Sequence, residues 1–183
     1  MSPLEIILMA LGLSADSLAV SLCSSVTLRK VDWKSVATVA SAFAFIQAGL
    51  LFGGWGFGEL LQGIVGKAAR LLSFLLLLYV AASMLYEGIV WKGEVRNLDS
   101  FRNIVIGGIA TSIDAAVAGA AETIDGMTLD GLVPLMAAVF IITAVSVVAG
   151  ILSGAGMGRR YGRAAEMAGG IVLLSIAFWN LLR

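Results

Sequence analysis

The stretch Gly12-Leu13-Ser14-Ala15-Asp16-Ser17-Leu18-Ala19 sets an aspartate inside an apolar run, and Ser112-Ile113-Asp114-Ala115-Ala116-Val117 does so again 98 residues later. A helix that crosses a hydrocarbon core about 30 Å thick needs roughly 20 apolar residues, and each run supplies them. Outward from these two, apolar runs between charged clusters predict helices at about 4–27, 35–60, 68–91, 103–122, 131–157 and 165–182. The runs are too long and continuous for the alternating strands of a membrane barrel. Of the 183 residues 60% are apolar and 13% charged, with a mean hydropathy of +0.99. A water-facing exterior cannot be built from that composition. The expected fold is an all-α membrane protein: one transmembrane domain over 1–183, with the lipid bilayer as its surrounding partner.

The loops give an orientation. Arg29, Lys30 and Lys34 flank the first loop, Lys92, Arg96 and Arg102 the third, and Arg159, Arg160 and Arg163 the fifth. The remaining basic residues, Lys67, Arg70 and Arg183, fall on the other side, whose fourth loop carries Asp125 and Asp130. The positive-inside rule then puts the odd-numbered loops in the cytoplasm and both termini outside the cell membrane. No Lys or Arg precedes Arg29, so the first span lacks the basic start of a cleaved signal peptide and is expected to stay in the mature protein. Trp33, Trp55, Trp91 and Trp179 lie near predicted helix ends, as interfacial anchors do.

Other parts of the chain also recur. Gly54-Trp55-Gly56-Phe57-Gly58 is echoed by Gly154-Ala155-Gly156-Met157-Gly158, and Lys67-Ala68-Ala69-Arg70 by Arg163-Ala164-Ala165-Glu166. The order and near-constant spacing indicate a duplication, with repeat 1 at about 1–92 and repeat 2 at about 100–183. Each half holds an odd number of helices, so the six transmembrane helices form two inverted-topology three-helix repeats, an architecture common among secondary transporters. Substrate sites in such proteins lie near the midplane where the repeats meet, and there Asp16 and Asp114 can face each other.

A charged aspartate at the centre of a span costs about 3 kcal/mol on insertion scales. Two bare carboxylates would also repel, and one would hold a proton, whereas a divalent cation between them neutralises both. The structural alternative is a protonated pair that only ties helices together. Gly12, Ala15, Ala19, Ala110, Ala115 and Ala118 let backbones approach closely. Ser14, Ser17, Thr111 and Ser112 offer hydroxyls beside the aspartates. Glu122 follows Asp114 two turns later on the same face, and either lines an outer vestibule or sits at the interface in water. Gln47 is polar in an otherwise apolar stretch of the second span, a carbonyl ligand or a bond to a neighbouring helix. Glu87 falls at a helix end as a surface carboxylate would, and Glu166 opens the last helix, where a negative charge suits the dipole. The stripes Gly54/Gly58 and Gly150/Gly154/Gly158 read as packing seams.

Histidine is absent and Cys23 is the single cysteine, so a metal here is held mainly by oxygen, which suits Mn²⁺ or Mg²⁺ better than Zn²⁺. With 12 basic and 12 acidic residues the net charge is zero, and nucleic acid is not an expected partner. No resident cofactor is expected, and no phosphate-binding loop for ATP hydrolysis is present. An intramembrane aspartyl protease would need a Gly-x-Gly-Asp sequence, but Asp114 follows Thr111-Ser112-Ile113 and Asp16 follows Leu13-Ser14-Ala15. The chain is therefore not read as an enzyme. A non-transporting membrane scaffold is a further alternative.

Together, Gly12 to Ala19, Ala110-Thr111-Ser112-Ile113-Asp114-Ala115, Gly54 to Gly58, Met84-Leu85-Tyr86-Glu87-Gly88 and Ala165-Glu166-Met167-Ala168-Gly169-Gly170 resemble the MntP-type manganese efflux pump family, related to the lysine-exporter superfamily. The resemblance runs through all six helices. It implies an inner-membrane, multi-pass exporter of Mn²⁺, with Asp16 and Asp114 as principal ion ligands and Glu87 and Glu166 in support. Gln47 falls where that family commonly has a polar or acidic residue. Mn²⁺ would be the transported substrate, possible by proton antiport; another divalent cation or a cationic amino acid is the alternative cargo, and a homo-oligomer is left open.

Overall fold

The computed structural model describes residues 2–25, 32–65, 69–90, 98 and 100–182, with the side chains at 62–65, 69–70, 155–162 and 182 outside that description. Its described elements are helices: α1 (Pro3–Leu13), α2 (Ala15–Ser24), α3 (Trp33–Val65), α4 (Ala69–Val90), α5 (Phe101–Ala110), α6 (Ile113–Ile124) and α7 (Leu129–Leu182). They supply six segments long and apolar enough to cross a membrane. Large apolar side chains such as Phe45, Phe57, Leu60, Ile141 and Val145 are exposed all around the bundle. Such a surface is a liability in water and a requirement in lipid. The predicted ends move by a few residues, and residues 26, 27 and 91 lie outside the described ones.

The N-terminus is built by local chemistry. Ser2 caps α1, its Oγ accepting from the Glu5 amide at 3.3 Å while Glu5 Oε2 accepts from the Ser2 amide at 2.8 Å. This reciprocal pair satisfies two otherwise orphan donors, and Pro3 opens the helix where its missing N–H costs nothing. At the far end of α6, Gly126 takes φ +103°. Its amide donates to Thr123 O and that of Met127 to Glu122 O, both at 2.9 Å, the pattern that closes a helix on glycine. A methyl at Gly126 meets nothing within 4 Å, so only the backbone angle penalises it. Gly126→Ala is expected to lose about 1 kcal/mol, read as a lower thermal unfolding midpoint in detergent with metal response unchanged.

The first and fourth spans are not the continuous helices that the apolar runs predict. The first breaks at Ser14, with φ −88° and ψ −5°. The fourth breaks at Thr111 and Ser112, with φ −83° and −117° and ψ near zero at both. Non-helical backbone at membrane depth is tolerated where protein buries it or where it lines a cavity. Here Ser14, Thr111 and Ser112 are all buried.

Glycines set how the spans pack. A methyl at Gly54 would fall on the carbonyl of Ala116, and one at Gly58 would lie 2.6 Å from Ala120 O. Gly107 and Gly108 lie against Phe43 and Ile46. Thus α3 runs parallel to α5 and α6. On the other side, Gly150 meets Ser21 and Leu18, Gly154 meets Leu22 and Ser25, and Thr143 meets Ser14, so the first arm of α7 runs parallel to α1 and α2. Leu173 packs on Gly12, Gly169 on Ala15, and Trp179 donates to Glu5, an antiparallel run. The two arms of α7, Leu129–Gly154 and Arg163–Leu181, point in opposite directions, so α7 supplies two spans. The stripes are packing seams, as their spacing predicts; the surroundings of Gly158 lie outside the described residues.

Trp55 departs from its expected place at the interface. It is buried, stacks on Phe52 with ring centroids 6.1 Å apart, and donates from Nε1 to Met127 O at 3.2 Å. It fastens α3 to the α6–α7 turn. Trp33 and Trp179 are exposed.

Candidate functional site

Both aspartates sit on the second residue of a half-helix. Ser14 precedes α2 and Ser112 precedes α6, but neither hydroxyl caps the helix it precedes. Ser14 Oγ donates back to Ala10 O, and Ser112 Oγ back to Gly108 O, each at 2.6 Å. The aspartates take over the capping. Asp16 Oδ1 accepts from the Ser17 amide at 2.6 Å, and Asp114 Oδ1 from the Ala115 amide at 2.8 Å. The carboxylates therefore lie at the positive ends of two half-helices, where the dipole favours negative charge. The two sites share the same local construction.

They also share one cavity. Asp16 from α2 and Asp114 from α6 line a space of about 250 Å³ together with Ala110, Ile113 and Val117 and the α4 face that carries Tyr79, Ser83, Met84 and Glu87. Both aspartates are half-buried and Glu87 is exposed. The cavity therefore runs from the interrupted backbone toward the end of α4. Ser83 Oγ donates to Glu87 Oε1 at 3.3 Å, one turn along that helix. The field at Asp16 includes the charges of Asp114, Glu166 and Glu87. Asp114 Oδ2 is buried and makes no hydrogen bond. A buried carboxylate oxygen normally finds a partner, so this one is free to meet a ligand.

Other residues singled out from sequence are placed elsewhere. Gln47 is fully buried and does not line the cavity. Its Nε2 donates to Leu13 O at 2.6 Å, and its Oε1 accepts from Ser17 Oγ and Thr143 Oγ1, both at 3.0 Å. Ser14, Thr111 and Ser112 direct their hydroxyls at backbone carbonyls of the preceding helix. Glu166 is buried near Asp16 in the charge field, outside the cavity lining. Glu122 is buried at the other end of α6, accepting from Asn180 Nδ2 at 3.2 Å, which departs from both a vestibule lining and a wet interface. Among the described residues no three acidic or cysteine side chains cluster closely enough to cage a metal. Sequence reading missed Tyr79 and Ser83. It also missed the breaks, although Ser-x-Asp is itself a helix-start pattern, a hydroxyl residue followed by an acid in the first turn.

Six spans, two of them interrupted beside carboxylates that share a cavity, make up a polytopic membrane protein. A family model described as "Putative manganese efflux pump" matches residues 30–181. Proteins called "Putative manganese efflux pump MntP" are similar over nearly their whole length. That of Bacteroides thetaiotaomicron is 30% identical, covering 100% of this chain and 97% of the relative. That of Neisseria meningitidis is 31% identical over 100% and 96%, and that of the archaeon Methanoregula boonei 32% over 92% and 90%. No solved structure matches the chain. The chain belongs to the MntP family of manganese efflux pumps.

Proposed function

We propose that the protein exports Mn²⁺ across the cytoplasmic membrane as a secondary transporter, binding the ion between Asp16 and Asp114. The observation that carries this reading is the buried, partnerless Oδ2 of Asp114 in a cavity it shares with Asp16. One oxygen of each aspartate is tied to the backbone, which fixes the carboxylates in place. Two carboxylates supply the charge that a divalent ion needs, and carboxylate, carbonyl and water ligands suit Mn²⁺. A volume of about 250 Å³ holds the ion with several waters, each taking about 30 Å³ of liquid. That accords with a carrier site that keeps part of the hydration shell.

Glu87 stands at the mouth of the cavity, where it attracts cations and hands them inward; Glu166 adds negative field from behind. The excess of Lys and Arg in the odd-numbered loops supports an orientation with the Glu87 end in the cytoplasm and both termini outside, and the ion then enters from the cytoplasm. The matched breaks, and the parallel packing of α3 on α5–α6 and of α7's first arm on α1–α2, support two inverted copies in 1–92 and 100–183. Rocking of one copy against the other would expose the ion outside. Proton binding to the aspartates there would release it, giving Mn²⁺/H⁺ antiport without chemistry on a substrate.

The test is thermal unfolding of the purified protein across Mn²⁺, Mg²⁺, Ca²⁺, Zn²⁺ and lysine. Mn²⁺ at a hundredfold excess over its Kd is expected to stabilise by about 2.7 kcal/mol. Stabilisation by none of the cations would overturn the proposal, and stabilisation by lysine alone would make the cargo a cationic amino acid.

A further inference from the structure

Gln47 lies where four segments meet. It donates to Leu13 O at the broken end of α1 and accepts from Ser17 of α2 and Thr143 of α7. Ser14, in the break itself, lies 3.0 Å from Thr143 Oγ1 and donates to Ala10 O. Gln47, Ser14, Ser17 and Thr143 are all buried. Among the described residues the second break has no such brace: the hydroxyls of Thr111 and Ser112 bond to Gly107 O and Gly108 O of their own span. An interrupted helix leaves carbonyls that must be satisfied, and at Leu13 the partner is a side chain from another helix. The Ser17 amide is the donor that fixes Asp16 Oδ1, so the residue Gln47 grips through its hydroxyl is the same residue that orients the carboxylate.

We propose that Gln47 is a positioning residue for Asp16: it locks the break at Leu13–Ser14 and the start of α2, and so holds the first carboxylate at the distance the ion requires. Its carbonyl oxygen is occupied by Ser17 and Thr143, so it acts through them and does not touch the ion. Among the described residues the lock sits on the Asp16 side, which makes the Asp114 break the more adaptable of the two. Thr143 is the weaker member. With Ser14 donating to Ala10 O and Thr143 to Gln47 Oε1, no proton is left for the Ser14–Thr143 contact, so Thr143 is held through one bond while Gln47 keeps Leu13 and Ser17 without it.

The inference rests on Asp16 being an ion ligand, and the experiment separates the two. In the full-length protein, Mn²⁺ midpoints for thermal stabilisation and KM for uptake into everted vesicles are compared across variants. Gln47→Leu is expected to raise both about tenfold, the equivalent of one well-made buried hydrogen bond. Ser17→Ala and Thr143→Val raise them less, and Thr143→Ser, which keeps the hydroxyl, restores the wild-type values. If Gln47→Leu does not fold, Ser17→Ala and the Thr143 pair decide alone. Lower melting points with unchanged midpoint and KM would make the network a mere brace and overturn the proposal. Tighter Mn²⁺ binding by Gln47→Glu would make the residue a direct ligand and overturn it equally. An unchanged midpoint in Asp16→Asn would instead remove the ion site on which it rests.

Discussion

Asp16→Asn and Asp114→Asn are each expected to cut Mn²⁺ uptake into everted vesicles about a hundredfold while leaving the protein folded. Asparagine keeps an Oδ1 that can accept from the Ser17 or Ala115 amide, so the half-helix stays capped. What is lost is one negative charge facing a divalent ion at membrane depth. Removing one partner of a buried charge pair costs about 3 kcal/mol or more, which is roughly a hundredfold in affinity. Stabilisation by Mn²⁺ should vanish in the same variants. Asp130→Asn is the control: that residue is exposed at the start of α7, far along the chain from the cavity, and its replacement should change nothing. Equal transport by all three variants would remove the aspartates from the mechanism.

The largest stability effect is expected at Gly54. Alanine is the better helix former by about 1 kcal/mol, so on an open helix face the change stabilises. At Gly54 the added methyl would fall on Ala116 O, 2.6 Å from its carbonyl carbon and 2.8 Å from its Cα. All three atoms are backbone, and none can rotate away. The helices must separate, and overpacking of this kind costs about 3 kcal/mol, well above the propensity gain. Gly53 and Gly56, its neighbours on α3, meet nothing within 4 Å, and Gly53→Ala or Gly56→Ala should be neutral or slightly stabilising. A thermal unfolding series over the three positions checks the contrast. If Gly54→Ala matches Gly53→Ala, the seam is looser than this packing implies.

Hydrophobic length made the six spans legible in the sequence, because a bilayer imposes one length on every crossing segment. The two aspartates were legible for the same reason: charge is expensive there, and its presence stands out. The breaks at Ser14 and Thr111–Ser112 left no mark in hydropathy, which carries no record of backbone continuity; their one signal was the Ser-x-Asp pattern at each. Gln47 was legible as polar but not in its partners. A buried amide can serve a metal or a carbonyl, and only three-dimensional placement tells which. Trp55 shows a similar limit, since a tryptophan near a predicted helix end suggested an interface and packing put the ring inside. Tyr79 and Ser83 carried no signal, being ordinary residues on a helix face that happens to border the cavity.

The glycine seams have one more consequence. Where backbone meets backbone, as at Gly54 with Ala116 and Gly58 with Ala120, the fit is fixed by what is absent, and few substitutions are admitted. Outward positions such as Phe45, Phe57, Ile141 and Val145 face hydrocarbon, which does not distinguish one apolar side chain from another. These lipid-facing positions are thus free to drift among Leu, Ile, Val and Phe, while the heritable instructions for the architecture concentrate in the packed core, a short set of small residues and a few polar ones.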